Sequence, residues 1–114
     1  MRELKYRIYI PEFNKFVYFD FNNFDYSDRY LHDPIYPVQE YTGLDDINGN
    51  RIFENDILYF TARYKQKGNV PVIYYGGSFG CVVTDDSDFK ELWNLSHIVQ
   101  QYYPKIVGTI YDNE

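Results

Sequence analysis

The sequence predicts a mainly β single domain with one short helix near residues 89–103, arranged as a partly open barrel or a strongly bent antiparallel sheet, an SH3-like barrel being one form of it. Three observations lead there. Of 114 residues, 14 are Tyr, 9 are Phe and 1 is Trp, an aromatic share of 21% that suits the pleated, half-buried surface of strands better than a helix interior. Apolar residues near the N-terminus alternate with period two. Dense turn signals then separate one short strand-like run from the next.

Leu4, Tyr6, Ile8 and Ile10 fall on one face of the first run and Lys5, Arg7 and Tyr9 on the other, which is the pattern of a half-buried strand. Turn residues at Pro11-Glu12-Phe13-Asn14-Lys15 lead into Phe16 to Phe21, so residues 4–21 read as a hairpin. Residues 22–34 have the composition of a surface loop. Ile35 to Tyr41 can return as a strand, which Pro34 and Pro37, lacking amide donors, confine to a sheet edge or a short piece.

Asn48-Gly49 marks a tight turn, because both residues accept positive φ. Ile52 to Phe60 is strand-like but interrupted by Glu54-Asn55-Asp56, which predicts a bulge or kink at Asn55. Gly68-Asn69 reads as a turn, Val70 to Tyr75 as the next strand, and Gly76-Gly77-Ser78 as the link to Phe79 through Val83. Asp88 and Glu91 have a capping-box spacing, and Leu92, Leu95, Ile98, Val99 and Tyr102 recur at threes and fours up to Pro104. That pattern predicts the helix. Lys105 to Tyr111 closes the chain as a strand.

Several of these segments together resemble the YopX family of phage and prophage proteins. They are Met1-Arg2-Glu3-Leu4-Lys5-Tyr6-Arg7, Tyr41-Thr42-Gly43-Leu44-Asp45, Asn48-Gly49, Ile52-Phe53-Glu54, Asp56-Ile57-Leu58, Gly77-Ser78-Phe79-Gly80 and Val107-Gly108-Thr109-Ile110-Tyr111-Asp112-Asn113. The family usually carries Gly where this chain has Asn55, a change that preserves access to positive φ. The resemblance implies a mainly β, barrel-like protein of bacterial mobile elements. It implies no catalytic residues and no established activity, so the central motif is a structural one.

Composition excludes more than it identifies. A formal charge of −6 and a pI near 4.8 disfavour a phosphate-backbone binder, and no apolar run approaches a membrane span. The N-terminus has no apolar signal-peptide core, and the lone Cys81 cannot form an intramolecular disulfide. A soluble protein of the bacterial cytoplasm is expected.

Candidate chemistry is sparse. Asp46, Asn48 and Asn50 suggest a calcium loop, but Arg51 stands where that loop needs Gly. Asp85, Asp86 and Asp88 read as a solvated turn or helix start. His32, His97 and Cys81 are the strongest candidates for nucleophilic or proton-transfer work, without a catalytic spacing among them; Cys81 reads as a small buried hydrophobe. No cofactor, metal or small-molecule ligand is expected, nor an enzymatic activity.

Two binding surfaces stand out instead. Tyr74-Tyr75, Trp93 and Tyr102-Tyr103 offer rigid aromatic contact area, with one ring of Tyr74-Tyr75 expected in the core and the other at an interface. These residues predict a protein-binding or self-associating module. The alternative is a nucleic-acid accessory protein using Arg63, Tyr64, Lys65 and Lys67, although lysines that discourage edge pairing explain that run equally well.

Overall fold

The structure, a computed structural model, describes residues 5–20, 36–61, 67–84 and 90–112. Its mainly β content is as predicted: the described residues form ten strands and one short helix. They divide into two compact units, Met1–Tyr41 and Thr42–Glu114.

In the first unit β1 (Tyr6–Ile10) and β2 (Lys15–Phe19) form the predicted hairpin, in antiparallel register from Tyr6 opposite Phe19 to Ile10 opposite Lys15. Asn14 closes its turn at φ 49°, a left-handed conformation that Asn tolerates. Ile8, Ile10 and Phe19 are buried as the alternation requires. Arg7, predicted on the solvent face, is buried as well: its Nε donates to Gln39 Oε1 at 3.0 Å and its guanidinium lies 4.0 Å from the centre of the Phe16 ring. Hydrogen bonding and a ring face let the charge leave water, which a period-two pattern cannot register.

The strand predicted from Ile35 is β3 (Gln39–Asp45), which begins after both prolines and so loses no ladder donor to them. Its first residues lie beside β1, with Glu40 opposite Tyr6 and Gln39 opposite Arg7, rather than at an edge. The division between the units falls within this strand.

The second unit continues with the rest of β3 and β4 (Arg51–Phe53). Beside them are the sheets β10-β5-β6 and β7-β8-β9, formed by β5 (Asp56–Thr61), β6 (Lys67–Pro71), β7 (Ile73–Tyr75), β8 (Ser78–Thr84), β9 (Lys90–Asn94) and β10 (Lys105–Thr109). Ile52, Leu58, Phe60, Val70, Val72, Cys81, Val83, Leu95 and Ile98 make its core.

Asn55 has φ 72° and kinks the chain, as inferred; the kink is a two-residue turn between two strands and not a bulge within one. Glu54 and Asn55 turn the chain from β4 into the separate sheet that holds β5, and Asp56 Oδ2 closes the corner by accepting from Phe53 N at 2.8 Å. The strand predicted over Val70–Tyr75 is likewise two strands in two sheets. The break is at Val72, whose amide and carbonyl bond Asp56 O and Asn55 N at 2.8 and 2.9 Å. Gly68 and Asn69 lie inside β6, opposite Phe60 and Tyr59, not in a turn.

The helix, α1, runs only from Leu95 to Tyr102. Lys90–Asn94, assigned to its first turns by the threefold spacing, is strand β9, in register with β8 from Thr84 opposite Lys90 to Gly80 opposite Asn94. Pairing along a whole strand outweighed a weak local periodicity. Glu91, expected in a capping box, accepts from Trp93 Nε1 instead, and the cap is Asn94, whose Oδ1 accepts from Ser96 N at 2.9 Å.

Candidate functional site

The central motif builds a fastened turn. Ile47-Asn48-Gly49 is a three-residue hairpin loop in which Gly49 N donates to Asp46 O at 3.0 Å and Gly49 supplies the positive φ of 82°. Asn48, predicted to share that role, does not have positive φ. Asp46 Oδ1 accepts from Asn48 N and Asn50 N at 2.9 Å each, and Oδ2 accepts from Ile106 N at 2.9 Å. Ile47 N adds a bond to Pro104 O at 2.9 Å. With both carboxylate oxygens taken by amides, Asp46 ties the loop to the start of β10, a use that explains this acidic stretch without a cation.

Thr42 and Leu44, from the same motif, reach a different place. They line a shallow groove of about 360 Å³ together with Tyr74, Gly77, Ser78, Phe79, Asn94, Leu95 and Ser96. Thr42 Oγ1 donates to Ile52 O at 2.7 Å, fixing that wall, while Leu44 and Phe79 pack on the core. No side chain in the lining carries a formal charge at neutral pH. Two stretches singled out in the sequence, Tyr41–Asp45 and Gly77–Gly80, thus converge on one concave surface. The third contributor, Asn94-Leu95-Ser96, was missed; an Asn ahead of an apolar helical run was the available signal.

Tyr74 and Tyr75 are 54% and 68% exposed, so neither ring enters the core as expected. In β7 only Ile73 is even half-buried, while Val72 just before it and Cys81 in β8 are core residues. Gly76 and Gly77, both at positive φ, make the tight turn into β8. The Tyr74 ring meets Phe79 edge-on at 5.0 Å.

The remaining predicted contact residues separate. Trp93 and Tyr102 are half-buried against the core and stack at 5.3 Å, with His97 edge-on to both. Tyr103 is 66% exposed and caps the other end of α1 in a left-handed conformation, φ 49°. Burial pushes the Cys81 thiol up to about 12, which removes the thiolate at neutral pH. Arg63, Tyr64 and Lys65, the side chain of Lys67, His32, and Asp85, Asp86 and Asp88 lie outside the described residues. Among the described residues, no helix is long and apolar enough to cross a membrane.

Comparison with known families identifies YopX protein, matching residues 12–114. The opening Met1–Arg7 segment, part of the resemblance, precedes the matched region. No curated protein matches the chain.

Proposed function

The chain belongs to the YopX protein family, and on that premise we propose that it is a non-enzymatic protein-interaction or self-associating module. In this reading it is phage- or prophage-encoded and works in the cytoplasm of a bacterial host. The observation that carries the proposal is the exposed pair Tyr74 and Tyr75, the first of which lines an uncharged groove. Tyrosine rings give large contact area at low entropic cost and are enriched where binding energy concentrates. Trp93 and Tyr102 are half-buried against the core, so the exposed rings of Tyr74 and Tyr75 are the contact area this reading rests on.

The test is light scattering of the purified chain together with pull-down from bacterial lysate, each repeated with Tyr75→Ala. A stoichiometric protein partner or a stable oligomer, weakened at least about tenfold by the substitution, is the expected result. A monomer that captures no protein, or a complex indifferent to Tyr75, would sink the proposal.

A further inference from the structure

Deepening the interaction reading, on which it rests, we propose that the free edge of β7 takes an extended, uncharged peptide strand, adding it to the β7-β8-β9 sheet with an apolar side chain in the adjoining groove. The hairpin geometry gives the edge its hydrogen-bonding pattern. Tyr75 opposite Ser78 flanks a two-residue turn and is a hydrogen-bonded pair, so Tyr74 opposite Phe79 is a non-hydrogen-bonded pair. The Tyr74 amide and carbonyl therefore point away from β8, at an edge where no other described strand pairs with them.

The other described edges of this unit are guarded. Arg51 opens β4, Pro71 and Lys67 belong to β6, Lys90 and Glu91 to β9, and a register shift at Val107 breaks β10. β7 carries no charge, no proline and no bulge. Strand addition needs such an edge beside a pocket for alternate side chains. Tyr74 belongs to both: its backbone forms the edge and its ring lines the groove.

The chemistry of the lining selects the occupant. Leu44, Leu95 and Phe79 offer an apolar floor, and the hydroxyl and amide groups around it are neutral. A charged side chain buried there would find no counter-ion. Because side chains of an added strand alternate, those facing the groove recur at every second residue.

The experiment pans a displayed library of random twelve-residue peptides against the full chain. Enriched peptides should be uncharged at the contacting positions and apolar at alternate ones, and should shift the amide resonances of Ile73, Tyr74 and Tyr75. Tyr74→Pro deletes the outward amide without removing a β7–β8 hydrogen bond, and should weaken binding at least tenfold. Tyr74→Ala keeps the amide and should weaken it less. N-methyl scanning of the peptide supplies a check on the unaltered protein: one or two methylated positions should abolish binding.

Charged consensus sequences, absence of enriched peptides, insensitivity to Tyr74→Pro and to every N-methyl position, or β7 occupied by the β7 of a second copy would each overturn the inference. If a lysate partner or an oligomer persists unchanged in Tyr74→Pro, strand addition fails while the broader interaction reading stands. If no partner or oligomer exists at all, both fail.

Discussion

Replacing Asp46 tests whether the central motif is a structural fastener. Asp46 is 7% exposed and its carboxylate accepts three backbone amides, from Asn48 in its own loop, Asn50 just after it and Ile106 at the start of β10. A hydrogen bond to a charged group contributes about 1.5–3 kcal/mol, and an unpaired buried donor costs about 1–3 kcal/mol. Asn48 and Asn50 are exposed, so their amides can turn to water once the carboxylate is gone. Ile106 is half-buried and packs on the core, which leaves its amide the most affected. Asp46→Ala should therefore destabilise by about 3–4 kcal/mol, less than three full bonds because two donors are recovered by solvent. Asp46→Asn keeps an oxygen for the loop but turns an NH₂ group toward Ile106 N; it should cost about 1–2 kcal/mol. Urea unfolding followed by the single Trp93, half-buried beside the core, gives both values from midpoints at unchanged slope. A loss below about 1 kcal/mol for Asp46→Ala, or equal losses for the two variants, would refute the fastening role.

Asn55→Ala should cost about 1–2 kcal/mol, since φ 72° penalises a Cβ residue without the local polar compensation of Asn. Asn55→Gly should cost less than about 0.5 kcal/mol, the relief of backbone strain offsetting loss of the 3.3 Å bond to Tyr111 Oη; a reversed order in thermal melts would remove the turn as the explanation. Cys81 should resist thiol reagents at pH 8 in the native protein and label on unfolding, because burial holds its thiol at about 12; native labelling at the rate of a free thiol would contradict this. The Tyr36 hydroxyl bonds Glu12 Oε2 and holds that carboxyl below its ordinary 4.5. The native state then binds the proton less readily than the unfolded chain, so the stabilisation is present above pH 4.5 and fades as pH falls below it. NMR titration should find Glu12 depressed and Tyr36→Phe raising it; an unmoved value would rule out that bond as the cause.

The chain's order of residues was enough to determine strand content, the first hairpin, the loop after Asp46 and the left-handed backbone at Asn55. All depend on alternation or on φ preferences carried by one or two neighbouring residues. Tertiary structure decided which sheet each strand joined. The corner at Asn55 and the break at Val72 redirect the chain through bonds to residues at Asp56, Phe53 and Val72, and no local periodicity encodes those partners. The same holds for Lys90–Asn94, where pairing with β8 overrode helical spacing. It also holds for the groove, whose walls come from segments around residues 42, 77 and 95. Buried Arg7 makes the physical reason plain. A charge leaves water only when distant groups, here Gln39 and the ring of Phe16, are brought to it by folding.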